Sequence, residues 1–229
     1  MSASQQSNDE QSQNNYNREP AIRATVQEIN QAKDQFKTSE AERAPSYQLL
    51  PTGAGANRVF TAGTLTNVED VSNEDSDGAY LKATISAESG TVYAYAGRYS
   101  EEAQAFLREA EAPQFVAVCG KMDLYPEDEP IEERNVSLSP EWFQTIDADR
   151  RDEILLKNAM ATIERADGGG ASLDALVERA EEQYKFDEDY TDTDFRAGAV
   201  EVLESLDEFH RDDEGATAGD SEEVPEAAA

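Results

Sequence analysis

The sequence predicts a mainly β fold with α: a five-stranded OB-type barrel over residues 58–149, followed by C-terminal helices. Three observations predict it. Three segments with apolar residues at alternate positions (58–71, 80–86 and 91–97) follow one another across turn-rich connections. One amphipathic helix comes next, starting after Ser100. Two more apolar segments, 114–122 and 136–146, close the run. The order β-β-β-α-β-β is that of an OB barrel. A general α+β sandwich is the other arrangement compatible with it.

Residues 1–19 are expected to be a disordered tail. Ser, Gln, Asn and acids dominate them and cannot bury enough apolar surface to offset chain entropy. Residues 20–57 form an N-terminal extension. Within 20–37, Val26, Ile29 and Lys33 fall on one helical face, while Ala21–Val26 also suits a strand, so both types stay open. Residues 44–57 hold two prolines and two glycines and read as a loop.

The first barrel strand, 58–71, alternates imperfectly. Phe60 and Ala62 share one phase; Val59, Gly63 and Leu65 share the other. Gly63 marks a bulge or sharp bend, which a small barrel needs in a long first strand. In 80–86, Leu81, Ala83 and Ile85 face one side, with Tyr80, Lys82 and Thr84 opposite. In 91–97, Val92, Ala94 and Ala96 oppose Tyr93 and Tyr95. The connecting helix sets Ala103, Phe106, Leu107 and Ala110 on one face, and Pro113 ends it. Residues 114–122 are nearly all apolar, as in a strand covered on both faces. Pro140 is expected to limit the last strand to an edge or a break.

An amphipathic helix over 150–166 carries an apolar stripe of Leu155, Leu156, Ala159, Met160 and Ile163. Residues 167–171 form a Gly linker. A helical region over 172–209 holds two helices. The first bears Leu173, Leu176, Val177 and Ala180; the second bears Phe195, Ala199, Val202, Leu203, Leu206 and Phe209. Residues 210–229 are expected to be a disordered acidic tail.

Composition narrows the function. Fifty acids face 19 bases, giving a net charge of −31. Residues 58–149 alone carry 19 acids and six bases, so the excess lies in the part expected to fold. Like charge on that scale repels itself in dilute salt. At molar salt the screening length falls to roughly 3 Å. A halophilic cytoplasm is the expectation; an acidic interaction protein from an ordinary cell is the alternative. One cysteine, Cys119, permits no internal disulfide, and one histidine permits no His-based metal site or triad. Cys119 lies in an apolar strand and reads as a buried small hydrophobe. Asn73-x-Asp75-x-Asp77-Gly78 echoes a calcium loop, but Thr84 stands where a bidentate Glu is required. No catalytic motif, metal or cofactor is expected. No apolar run is long enough to span a membrane.

The segment Ala44-Pro45-Ser46-Tyr47-Gln48-Leu49-Leu50-Pro51-Thr52-Gly53-Ala54, followed by Asn57-Arg58-Val59-Phe60, resembles the archaeal replication protein A-associated family. So do Gly63-Thr64-Leu65, the run Gly90-Thr91-Val92-Tyr93-Ala94-Tyr95-Ala96-Gly97, and Phe115-Val116-Ala117-Val118-Cys119-Gly120-Lys121. The resemblance covers about residues 20–165. It implies an OB-fold accessory subunit that pairs with the replication protein A large subunit in DNA replication and repair. Single-stranded DNA would be met directly or through the complex.

OB domains bind oligonucleotides on the outer face of the second and third strands. Tyr80, Lys82, Tyr93 and Tyr95 lie there, with Arg98 beyond and Lys121 on the fourth strand. Aromatic rings stack on bases, and the cations contact phosphates. The bland reading is that these tyrosines pack against the chain's own extensions. The stripe from Leu155 to Ile163 has the same two readings: a partner interface, or packing across the open end of the barrel.

Overall fold

The computed structural model describes residues 19–41, 44–73, 78–171, 173–184 and 192–218. Strands β1 (Ile22–Arg23), β2 (Asp34–Lys37), β3 (Ser46–Leu49) and β4 (Gly55–Ala56) precede the barrel. The barrel strands are β5 (Arg58–Asp70), β6 (Leu81–Ala87), β7 (Gly90–Ala96), β8 (Gln114–Tyr125) and β9 (Asn135–Thr145). The α-helices among the described residues are α1 (Val26–Gln31), α2 (Glu101–Glu109), α3 (Ala148–Ala166), α4 (Asp174–Tyr184) and α5 (Asp192–Ala218). The order around the barrel is β5-β6-β7-β9-β8, and β8 pairs back onto β5 to close it. The β7–β9 pairing is parallel and the others are antiparallel. This is the OB topology, with α2 between the third and fourth strands.

β5 belongs to both halves of the barrel. It pairs with β8 over 58–65 and with β6 over 64–70. The register shifts between Leu65 and Asn67, so the expected bend lies just after Gly63. A side chain at Gly63 would meet the Ser86 carbonyl oxygen at 2.5 Å, so only glycine lets β5 press this closely on β6.

Pro140 breaks the ladder, as expected, without ending the strand. It lies inside β9 rather than at its end, opposite Gly120. The register skips Glu141 there, and this bulge takes up the residue that cannot donate to the ladder.

Alternation puts Leu81, Ala83, Ile85, Val92, Ala94, Ala96, Val116, Val118, Met122, Val136 and Leu138 in the barrel core. Two helices close the ends. At the β6–β7 hairpin end the Val26 backbone N–H donates to Ser89 Oγ, and Asn30 Nδ2 donates to the Thr91 carbonyl. This brings Val26 and Ile29 of α1 into the core. At the other end Gln104 of α2 donates to the carbonyls of Ala79 and Ala96 while Ala103 and Leu107 enter the core.

The extension over 20–57 is thus part of the barrel core, through Ala24, Val26, Ile29, Leu50 and Ala54. Thr25 caps α1 by accepting from the Glu28 N–H at 3.3 Å. The helix is short, and Lys33 lies beyond it. The expected loop over 44–57 contains β3 and β4, which pair with β2 in a small sheet. These strands are too short to show an alternation, and Pro45 and Pro51 flank β3, so only turn signals were visible in sequence.

α3 lies along the outer side of β5 and β8. Ile154 packs on Ala62 and Ala117, bordered by Phe60, Trp142 and Ile146. Leu155 and Ala159 pack on Ala199, Val202 and Leu206 of α5. α4 covers the small sheet, with Ala180 and Tyr184 against Leu49. Each large side chain so buried contributes roughly 1.5–3 kcal/mol.

A buried polar cluster ties these layers together. Arg165 and Glu28 are joined at 2.5 Å and are both buried. Thr162 Oγ1 donates to Glu28 at 2.6 Å, and Thr52 Oγ1 also donates to it. The Arg165 Nε–H donates to Thr52 Oγ1 at 3.0 Å. One cluster therefore pins α1, the 50–54 turn and α3.

α5 continues to Ala218, so residues 210–218 of the expected tail are helical. Residues 1–18 and 219–229, the calcium-like segment 74–77 and the Phe209 side chain lie outside the described residues.

Candidate nucleic-acid interface

Strand parity and register assemble the outer face of β6, β7, β9 and β8. Lys82 lies opposite Tyr95, and Thr84 opposite Tyr93. Ala94 pairs with Leu138, both pointing inward, so Ser137 and Ser139 lie beside Tyr93 and Tyr95 on the outer face. Ser139 lies opposite Lys121, and Ser137 opposite Asp123. Two rows result: Lys82, Tyr95, Ser139 and Lys121, then Thr84, Tyr93, Ser137 and Asp123.

Tyr80 joins the first row from the start of β6. Its ring stacks on Tyr95 with centroids 5.7 Å apart and planes 22° apart. The ring lies flat beside Gly97, where a Cβ would meet it at 3.3 Å, so a larger residue would lift it away. Tyr80 is 40% exposed and Tyr93 41%. Burial, then the nearby Asp123 carboxylate and Tyr95, holds the Tyr80 hydroxyl above its ordinary range, so it stays neutral.

The cations are engaged. The Lys82 ammonium lies 4.7 Å above the Tyr93 ring and 3.6 Å from Glu69. Arg98 lies over the Tyr99 ring at 4.6 Å and donates to its hydroxyl at 2.6 Å. Lys121 is exposed on β8. Ser139 donates to Asp123 at 2.5 Å.

The structure thus brings Tyr80, Lys82, Tyr93, Tyr95 and Lys121 to one surface and sets Arg98 in the loop beside it. Two further exposed aromatics border that surface: Tyr99 at 87% and Tyr125 at 76%. Sequence reasoning passed over both. Tyr125 shared the alternation phase of Lys121 and Asp123, which was the available signal. Tyr99 lies in a turn and gave none.

The stripe on α3 is divided. Leu155 and Ala159 are buried and Ile163 half-buried against α5 of the same chain. This corrects their assignment to a partner interface: α5 already fills that groove. Leu156 and Met160 stay exposed on the outward side. Trp142 packs 5.8 Å from Phe60 beneath α3, away from the tyrosine face.

Among the described residues, no group of three or more His, Cys, Asp or Glu is placed to hold a metal ion. Among them, too, no helix is long and apolar enough to cross a membrane. Cys119 is buried.

No family model matches the chain, and no curated protein matches it. Solved structures do. A replication protein A heterotrimer bound to single-stranded DNA is similar at 12% identity and a TM-score of 0.43, over 64% of this chain and 98% of that one. An OBody bound to hen egg-white lysozyme is similar at 16% identity and a TM-score of 0.33, over 49% and 95%. Asparaginyl-tRNA synthetase from Pyrococcus horikoshii is similar at 15% identity and a TM-score of 0.30, over 51% and 30%.

Proposed function

We propose that this chain is a non-enzymatic accessory subunit of a replication protein A-type complex, contacting single-stranded DNA through the outer face of β6 and β7. The observation that carries this reading is the aromatic face itself. The chain closes both barrel ends with α1 and α2 and covers β5 and β8 with α3. It leaves Tyr80 and Tyr93 exposed, with Tyr95 half-buried beside them. Exposed aromatic rings on that side of an OB barrel suit base stacking, at roughly 1–3 kcal/mol per base. The sequence resemblance to replication protein A-associated proteins supports the same reading. The net charge of −31 supports a working medium of molar salt.

The alternative is an assembly factor for a replication protein A subunit that never touches DNA. Leu156 and Met160, left exposed on α3, favour some protein contact. One experiment separates the two readings. A fluorescently labelled single strand is titrated with the full chain in molar KCl and followed by anisotropy. Trp142 is remote from the face, so its fluorescence is the wrong reporter. Saturable binding that Tyr93→Ala plus Tyr95→Ala weakens at least tenfold supports direct contact. Binding unchanged by that pair excludes the stacking face, and no binding favours the assembly factor.

A further inference from the structure

We propose that this face takes unpaired nucleobases and makes almost no use of the phosphate backbone, so that an uncharged strand binds as well as DNA. The proposal deepens the DNA-contacting reading above and rests on it.

Charge carries the inference. Lys82 already has Glu69 and the Tyr93 ring as partners, and Arg98 has Tyr99. Lys121 is the remaining cation of the set, and it shares its strand face with Asp123. One loop adjoins this face. Residues 126–134 follow Tyr125, and there Glu127, Asp128, Glu129 and Glu133 are exposed against one cation, Arg134. Arg134 is turned to the carbonyls of Glu129 and Lys33. At the end of β5, hydrogen bonds from Ser72 hold the Asp70 carboxyl below the usual range, so it stays charged. A phosphate chain crossing here meets more anions than cations, whereas a base meets π-faces.

The aromatic side is correspondingly generous. Tyr93 and Tyr95 lie on β7, Tyr80 stacks on Tyr95 from just before β6, and Tyr99 and Tyr125 extend the rings beyond them. Stacking is indifferent to backbone charge. Phosphate contacts are not: each one neutralised on a single strand adds about −0.7 to the slope of log K against log salt.

The test uses the full chain with two probes of about 15 residues, long enough for one OB fold: oligothymidine DNA, and thymine peptide nucleic acid with its uncharged backbone. Affinities are measured across a KCl series. The expected result is that the uncharged strand binds at least as tightly as DNA. The DNA slope is expected between zero and about −0.7, no more than one phosphate. Tyr93→Ala should weaken both probes about tenfold, while Lys121→Gln changes DNA binding less than about threefold. A DNA slope of about −2 or steeper, roughly three phosphates, with the uncharged strand binding more than tenfold weaker, overturns the base-only mode but leaves DNA contact standing. Failure of both probes to bind overturns DNA contact itself.

Discussion

The two outer sides of the barrel contrast sharply. On the β5–β8 side the outward residues include Phe60, Ala62, Phe115, Ala117 and Cys119. Several are small, and α3 settles close enough to place Ile154 on Ala62 and Ala117. On the β6–β7 side they are Lys82, Thr84, Thr91, Tyr93 and Tyr95. These are large or polar-tipped, and among the described residues no helix covers them. A flat, small, apolar surface must be buried. A surface of aromatic rings with hydroxyl tips tolerates water and keeps its stacking faces available. The barrel thus sorts its outer surface into a structural side and a contact side by side-chain polarity.

The covered side should be the fragile one, and the cluster that fastens it most of all. Arg165→Ala strands the Glu28 carboxylate in the interior. It should cost about 3–5 kcal/mol in denaturant unfolding at molar KCl, and replacing both residues with apolar ones of similar volume should cost much less. A loss near zero for Arg165→Ala would mean that α3 is not fastened through this pair. Ile154→Ala should come next, at about 2–5 kcal/mol by the same measurement, because it opens a cavity between helix and sheet.

Tyr184 tests the small sheet. Its hydroxyl donates to the Leu49 carbonyl at 2.6 Å and accepts from the Asp34 N–H at 3.1 Å. Tyr184→Phe should cost about 1–3 kcal/mol, because partners are left unsatisfied in the interior. Burial is the main cause that raises this hydroxyl above the ordinary tyrosine range. Its contribution is therefore complete below about pH 10, the unfolded value. It is lost as pH rises beyond that, because unfolding then releases a proton. Stability above pH 10 should fall less steeply in Tyr184→Phe than in the parent.

The smallest expected effect lies on the contact side. Tyr93→Ser should change stability by no more than about 0.5 kcal/mol, as for other surface substitutions, while removing a stacking face. A loss as large as that of Ile154→Ala would turn Tyr93 into a structural residue and erase the contrast between the two sides.

Much of the barrel was legible in the sequence, because a half-buried strand writes its burial into alternate residues. Leu81, Ala83 and Ile85 against Lys82 and Thr84 distinguish inside from outside by parity alone. The same parity placed Tyr93 and Tyr95 outward. Gly63 announced the bend in β5. Pro140 marked the break in the last ladder, although the bulge opposite Gly120 lets the strand continue past it. The stripe on α3 was visible as a stripe, but its five residues could not be told apart. Burial of Leu155 and exposure of Met160 depend on where α5 lies, and α5 begins about 25 residues downstream of α3.

By itself, then, the sequence determined the barrel's strand order, its inward residues and its aromatic face. These follow from local periodicity, which each segment carries within itself. Only the tertiary structure decided three other things: that residues 20–57 enter the barrel core, that Glu28 meets Arg165, and that Tyr80 stacks on Tyr95 beside Gly97. Each is a contact between segments whose separation along the chain holds no periodic signal. Such contacts are fixed when the chain closes, by which surfaces fit and which buried charges find a partner.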